Sequence, residues 1–445
     1  MMQTSTQSRL EQAIRARSAV VSVVGLGYVG LPTAVSFAQA GFATIGVDLD
    51  AGKVAKINRG ESYLPDVPSD VLRALVAALH TSGRPQLLAS AGYEALAGAD
   101  AALICVPTPS TANKEPDTRH IVSAAEGIAR QMRAGRLVVL RSTSYPGTTR
   151  ELVAGALQRA GGILGLDSFV AFAPERIDPG RSDPLPSEIP VVIGGCDAES
   201  TQLAVLLFAQ VVERVVPVSS AEAAEMVKLL ENVFRNVNIA LVNQLAMLCD
   251  RMGLNVWEII DAAATKPFGF MKFTPGPGVG GHCIPVDPYY LAWKAREYDF
   301  HMDFIELAAR VNDEMPYFVV NKIVEALGRM GAGGGARVLV VGVTFKRDVP
   351  DERSSPAVKI IELLRRRGYA VGYHDPYVPT LRLNEDLLSS QPLTPDVLRS
   401  HDCVVIATDH TAIDYSFLVE HARCVVDTRN ATRSVAHGAE RIIKL

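Results

Sequence analysis

At 445 residues the chain exceeds one ordinary domain, so two or three are expected, and 48% hydrophobic residues can fill sizeable cores. A formal net charge of −4 provides no broad basic face for nucleic acid. No run reaches the ~20 apolar residues of a membrane span, and the polar start (Met1 to Arg17, with Arg9, Arg15 and Arg17) reads as neither secretory signal nor anchor. The six cysteines make no C-x-x-C pair and mostly sit in apolar runs. Buried thiols in a reducing cytoplasm are therefore expected, with no metal site.

In chain order, Ala19 to Val24, Ala43 to Val47, Ala101 to Val106, Leu137 to Leu140, Phe169 to Phe172 and Val191 to Ile193 read as buried strands alternating with helical stretches. This texture predicts βαβ units around a parallel sheet. From Ala221 to Met252 there is neither Pro nor Gly, and Gly253 supplies a stop. Val227, Leu230, Phe234, Val237, Leu241, Leu245 and Leu248 recur three and four apart, which predicts one apolar stripe on a helix roughly 45 Å long. Such a helix would be a spine between two α/β domains and the seam of a homodimer. Gly331 to Gly335 then punctuates the chain, and Val338 to Val341, Ala370 to Tyr373, Cys403 to Ala407 and Cys424 to Val426 predict a second α/β region. The expected class is α/β, with two Rossmann-like doubly wound domains joined by a long central helix. Residues 1–212, 213–330 and 331–445 are the expected domains.

The first strand runs into Gly25-Leu26-Gly27-Tyr28-Val29-Gly30, a helix follows, and Asp48 ends the second strand. In a G-x-G-x-x-G turn the first glycine tightens the turn. The second lets backbone approach a pyrophosphate at the helix N-terminus, and the third allows close helix packing. A carboxylate at Asp48 suits ribose hydroxyls and repels a 2′-phosphate, so NAD is expected and not NADP. Val106-Pro107-Thr108-Pro109 and Ser142 to Gly147 each leave the C-terminal end of a predicted strand, where ligands of doubly wound folds sit.

Pro275 to Pro288 packs four glycines ahead of one cysteine, Cys283. A thiol held in such a loop is placed as a nucleophile, with a cation or N–H cluster needed to populate its thiolate. Lys228 and Asn232, four apart, share a helix face distinct from the apolar stripe. Glu175, just past a buried strand, is a candidate base. A small residue in a tight turn, a solvated lysine and a loop histidine at His282 are the bland readings of the same positions.

Together these stretches resemble the UDP-glucose/GDP-mannose dehydrogenase family over nearly the whole chain. Gly25 to Pro32 is similar to its NAD fingerprint, and Ala224 to Lys228 with Asn232 to its helix motif. Gly280 to Asp287 matches its G-G-x-C-x-x-x-D loop. Gly342-Val343-Thr344-Phe345-Lys346, with Asp351, Arg353, Ser355 and Pro356, is similar to the start of its nucleotide-sugar domain. Within the family, His282, Val286 and Pro179 lean toward the branch acting on UDP-N-acetylglucosamine, with UDP-N-acetylmannosamine as runner-up and UDP-glucose as a further alternative.

The resemblance implies a four-electron oxidation of a C6 hydroxymethyl group to a carboxylate through a Cys283 thioester, for surface polysaccharide precursors. Lys228 and Asn232 would stabilise oxyanions. Thr143 would order a water, and Glu175 and Asp287 would share base work. Cofactor contacts would come from Gly25, Gly27, Tyr28, Val29, Gly30, Asp48, Pro107, Thr108, Thr143 and Arg353. Substrate contacts would come from Glu175, Arg176, Lys228, Asn232, Gly278, Gly280, Phe345 and Lys346. A single-step hydroxyacid dehydrogenase would need no Cys283, and a non-catalytic NAD-binding protein would need neither Cys283 nor Lys228.

Overall fold

Among residues 6–80, 83, 85–111, 114–131, 133–176, 186–281 and 283–445, which the computed structural model describes, the β-branched runs form strands and the longer periodic runs form helices. Two units result, Met1–Glu231 and Asn232–Leu445. The boundary between them falls within the long helix, and each unit is built around its own sheet.

The first unit holds strands β1 (Val20–Val24), β2 (Ala43–Val47), β3 (Leu87–Ser90), β4 (Ala101–Ile104), β5 (Arg136–Leu140), β6 (Ser168–Phe172), β7 (Val191–Gly195) and β8 (Val215–Pro217). Their order is β3-β2-β1-β4-β5-β6-β7-β8. Helices α1 (Thr6–Arg15), α2 (Gly30–Gln39), α3 (Ala51–Asn58), α4 (Ser69–Ala77), α5 (Arg119–Arg130), α6 (Gly155–Arg159) and α7 (Ala198–Phe208) accompany them. Val21, Val23 and Leu103 pack one face of the sheet against Leu31, Phe37 and Phe208. Val24, Ile104 and Leu140 pack the other against Ile121 and Ile128. Burial on both faces explains why these strands read as continuous apolar runs.

The expectation of a wholly parallel sheet needs correction. β7 lies antiparallel to β6 through Ala171↔Gly195 and Phe172↔Gly194, and β8 runs parallel to β7. A buried apolar run does not encode its direction, which is why the sequence pattern missed the reversal. The short strands β3 and β8 also escaped it.

Helix α8 (Ala221–Met252) has the expected bounds. It departs from an ordinary surface helix in carrying apolar residues outward as well as inward, where Leu229, Val242 and Cys249 are buried. Met226, Leu230, Phe234, Leu241, Leu248 and Met252 are exposed, on an arc of about 80° at 3.6 residues per turn. Glu225, Asn232, Asn236 and Asn243 are buried.

The second unit adds α9 (Val256–Ala263), α10 (Asp287–Ala295), α11 (Asp303–Arg329), α12 (Pro356–Arg366), α13 (Pro395–Ser400) and α14 (Tyr415–His421). Strands β9 (Arg337–Val341), β10 (Ala370–His374), β13 (Cys403–Ile406), β14 (Val425–Asp427) and β15 (Ile442–Lys444) make a parallel sheet ordered β10-β9-β13-β14-β15. β11 (Thr380–Leu383) and β12 (Asp386–Ser389) form a hairpin that the sequence reading did not anticipate. Met315, Val319 and Ile323 of α11 pack with Val338, Ile360 and Val405, tying that helix to the sheet. No helix among the described residues is long and apolar enough to cross a membrane.

Candidate functional site

In the first unit the chain order reverses between β1 and β4, and ligands of doubly wound sheets bind at the C-terminal ends of strands at such a point. The three fingerprint glycines have separate physical reasons. Gly25 has φ +90°, and a Cβ there would lie 2.8 Å from Cys105 O. A Cβ on Gly30 would overlap Gly25 O, so α2 approaches the turn only with glycine at that point. At Gly27 a Cβ would meet nothing within 4 Å. Backbone laid bare beside open space at a helix N-terminus fits a dinucleotide pyrophosphate. Tyr28, in the same turn, is exposed.

Asp48 directly follows β2 and accepts hydrogen bonds from Leu26 N–H (2.8 Å) and Asp50 N–H (2.9 Å). Lys53 Nζ stands 3.7 Å from its carboxylate. The loops after β4 and β5 are joined: Thr108 Oγ1 donates to Thr143 O (2.7 Å), and Ser142 Oγ donates to Val106 O (2.6 Å). Pro107 and Thr143 thus belong to one braced rim.

Glu175 follows β6 and pairs with Arg141, which follows β5. Arg141 is buried and its guanidinium carbon lies 5.1 Å over the Phe208 ring. Arg176 donates from its backbone N–H to Glu175 Oε1 (2.8 Å) and pairs with Glu231 at 2.6 Å. Lys228, half-buried, lies on α8 three residues after Glu225.

The second unit contains Cys283, Asp287 and Asn232. Asn232 is buried and donates from Nδ2 to Asp287 Oδ2 at 2.5 Å. Asp287, also buried, opens α10, and its N–H donates to Cys283 O (2.8 Å). Cys283 therefore sits in the turn entering a helix N-terminus, the end that favours negative charge. None of the six cysteines is in a disulfide. His282 and Pro179 lie outside the described residues.

The glycines before Cys283 are seated by packing. A Cβ on Gly278 would be 3.2 Å from both Asn312 O and Pro356 Cβ. On Gly280 it would be 2.7 Å from Phe345 Cβ, and on Gly281 2.9 Å from the Phe345 ring. Gly281 N–H donates to Arg353 O (3.1 Å), and the Arg353 guanidinium is held by Asp351 (2.6 Å). Gly278, Gly280, Phe345 and Arg353, assigned separately by sequence to ligands, thus brace one loop. Lys346 adjoins this cluster in the chain and is half-buried.

Three family models cover the chain in succession: the NAD binding domain at residues 19–212, the central domain at 222–314 and the UDP binding domain at 339–434. The chain belongs to the UDP-glucose/GDP-mannose dehydrogenase family. It is 38% identical to UDP-N-acetyl-D-mannosamine dehydrogenase of Pyrococcus horikoshii, over 88% of this chain and 89% of that one. Identity is 36% to UDP-N-acetyl-D-glucosamine 6-dehydrogenase of Pseudomonas aeruginosa, over 88% and 90%. A solved structure of the Pyrococcus horikoshii UDP-D-ManNAc dehydrogenase superimposes with TM-score 0.83 at 34% identity, covering 93% of this chain and 96% of that one. As a member of this family the protein is a nucleotide-sugar dehydrogenase, with the family's NAD binding and UDP binding domains.

Two residues of the first unit received no role from the sequence. Arg141 gives Glu175 a buried cation; the signal was a charge directly after an apolar strand. Glu225 lies inside the helix motif itself. Buried, it accepts from Gly147 N–H (2.6 Å), Thr149 N–H (2.8 Å) and Thr149 Oγ1 (2.6 Å), so it anchors α8 to the segment following the Thr143 loop. Burial raises its carboxyl to about 7 against those hydrogen bonds.

Proposed function

We propose that this dehydrogenase oxidises the C6 hydroxymethyl group of a UDP-linked 2-acetamido sugar, UDP-N-acetylglucosamine foremost, to the carboxylate through a thioester at Cys283. The product would be an acidic sugar nucleotide for surface polysaccharide. The observation that carries this reading is the braced glycine loop that ends in Cys283 at the N-terminus of α10, beside the Asp287–Asn232 pair. Support for a 2-acetamido sugar comes from the two relatives named above and from Val286 before Asp287, one of the residues by which the sequence leans toward that branch.

NAD, held by backbone at Gly27 and by the Asp48 carboxylate, would supply the hydride acceptor for both oxidations. Glu175, paired with the buried Arg141, and Asp287 would accept the protons. The Cys283 thiolate adds to the C6 aldehyde, and Lys228 and Asn232 stabilise the oxyanion that forms. Loss of the second hydride leaves an acyl thioester. A water ordered by Thr143 then attacks it, giving the carboxylate and restoring the thiolate. The exposed apolar arc of α8 supports a homodimer, since such patches mark association surfaces. Leu230→Glu with Leu241→Glu should then give monomers by sedimentation.

A panel of UDP sugars tests the substrate: UDP-N-acetylglucosamine should give the highest kcat/KM. A higher value for UDP-N-acetylmannosamine or UDP-glucose would replace it. Two NADH should appear per sugar with little free aldehyde. Cys283→Ser should accumulate a slowly hydrolysed sugar ester visible by intact mass. Wild-type turnover with two NADH from Cys283→Ala would remove the thioester.

A further inference from the structure

Behind the reactive loop, three asparagines form a chain of carboxamides. Gly276 N–H donates to Asn243 Oδ1 (3.0 Å). Asn243 Nδ2 donates to Asn312 Oδ1 (2.9 Å), and Asn312 Nδ2 donates to Asn236 Oδ1 (2.8 Å) and Asn236 O (3.2 Å). All three side chains are buried. The direction is fixed from one end. A backbone N–H can only donate, so Asn243 must turn its oxygen to Gly276 and its amino group to Asn312. Each amide then polarises the next in the same sense, which strengthens such chains.

A second observation meets the first on α11. That helix contains Pro316, four residues after Asn312. Proline has no N–H to give the Asn312 carbonyl. Gly278 lies against this carbonyl, close enough that its absent Cβ would be 3.2 Å away. The same asparagine therefore meets the loop twice, through its side chain by way of Asn243 and through its backbone at Gly278. Pro356 meets Gly278 at the same point, 3.2 Å from its absent Cβ, and Phe345 meets the loop at Gly280 and Gly281. Three carboxamides are an expensive filling for a helix interface if packing is the only purpose, because each must be fully hydrogen-bonded to be tolerated.

We propose that Asn243, Asn312 and Asn236 are positioning residues that set the geometry of the Cys283 loop, with Asn243 as the contact and Asn236 as the remote anchor. This rests on the reading of Cys283 as nucleophile. A loop released at Gly276 would move the thiol relative to the aldehyde it must capture, and displacements on the order of 1 Å cost up to roughly 100-fold.

The test compares full-length Asn243→Ala, Asn236→Ala, Asn243→Asp and Cys283→Ala with wild type. Asn243→Ala should lower kcat by roughly 10–100-fold with a smaller change in sugar KM. NADH per sugar should fall from two toward one, with aldehyde captured by a hydrazine trap. The pH profile for iodoacetamide alkylation of Cys283, located by peptide mass spectrometry, should shift. Asn236→Ala, which does not touch the loop, should move these readouts in the same direction by less. Asn243→Asp keeps an oxygen for Gly276 N–H and should recover part of the loss. If Asn243→Ala does not fold, the other two asparagine variants decide. Lowered Tm with two NADH per sugar and a wild-type alkylation profile in the folded variants would overturn the proposal. Full turnover by Cys283→Ala would instead overturn the nucleophile reading, while the alkylation profiles would still report on the loop.

Discussion

The two units carry the same strand-turn at their first sheet strand, and they fill it differently. After β1, Gly25 has φ +90° and donates to Val47 O (2.7 Å); after β9, Gly342 has φ +80° and donates to His374 O (2.9 Å). The next N–H donates in both cases to a carboxylate after the neighbouring strand: Leu26 to Asp48 (2.8 Å) and Val343 to Asp375 (2.7 Å). The likeness ends at the third position. Gly27 faces open space, whereas Thr344 is buried and its hydroxyl lies 3.2 Å from His410 Nε2. Asp348 N–H donates to His410 Nδ1 (3.0 Å), so Nε2 carries the proton and donates to Asp375 (3.0 Å). One turn keeps its backbone available to phosphate, and the other closes it with side chains. The same local fold can therefore leave its backbone open or cover it, according to two side chains.

The sharpest way to break this comparison is to give the first turn the second turn's residue. Gly27→Thr should weaken NAD binding about 100-fold, or about 3 kcal/mol, the scale of one or two charge-assisted hydrogen bonds. Open space at Gly27 means that Tm should hold. Fluorescence titration with NADH checks it, and an unchanged Kd would show that the turn does not hold the cofactor. Asp375→Asn should do the reverse. It sets an amino group against backbone donors at Val343 and Thr344, costing about 2 kcal/mol of stability and leaving NAD affinity unchanged.

Asp48→Ala should narrow the preference for NAD over NADP about tenfold, about 1.4 kcal/mol, read as a ratio of kcat/KM values. Equal preference in wild type would remove the Asp48 assignment. The smallest effect distinguishes the units by pH. Glu225 is raised from 4.5 to about 7, so its contribution is full below 4.5 and is lost as pH rises toward 7. For Asp375, burial alone would raise the carboxyl, but hydrogen bonds from His410, Val343 and Tyr377 hold it below 3.8. Its contribution is present above that value and lost in acid. The Tm advantage of wild type over Glu225→Gln should shrink between pH 4.5 and 7, while that over Asp375→Asn should not.

Most of the strand plan was legible because parallel strands buried on both faces leave unbroken apolar runs, as Leu103 and Val138 do. The fingerprint glycines were legible because Gly25 and Gly30 each have a steric reason and Gly27 leaves backbone bare. Strand direction at β7 was not legible, since pairing partners leave no mark on a short run. Asn236, Asn243 and Asn312 were invisible for a different reason. An asparagine in a helix reads as solvent-facing until a second helix and a loop return to it from far along the chain. For α8, periodicity located the apolar stripe but carried no information on which face the chain itself would bury.

That outward stripe has a consequence for how the protein is made. At ~5–20 residues per second, the roughly 190 residues that follow Met252 take about 10–40 s to synthesise. Throughout that time Leu230, Leu241 and Leu248 stay uncovered, since the finished fold leaves them exposed. Correct folding of each unit does not shorten their exposure. The yield of soluble protein at high expression should therefore respond to holding chaperones and to chain concentration more than to the stability of either sheet.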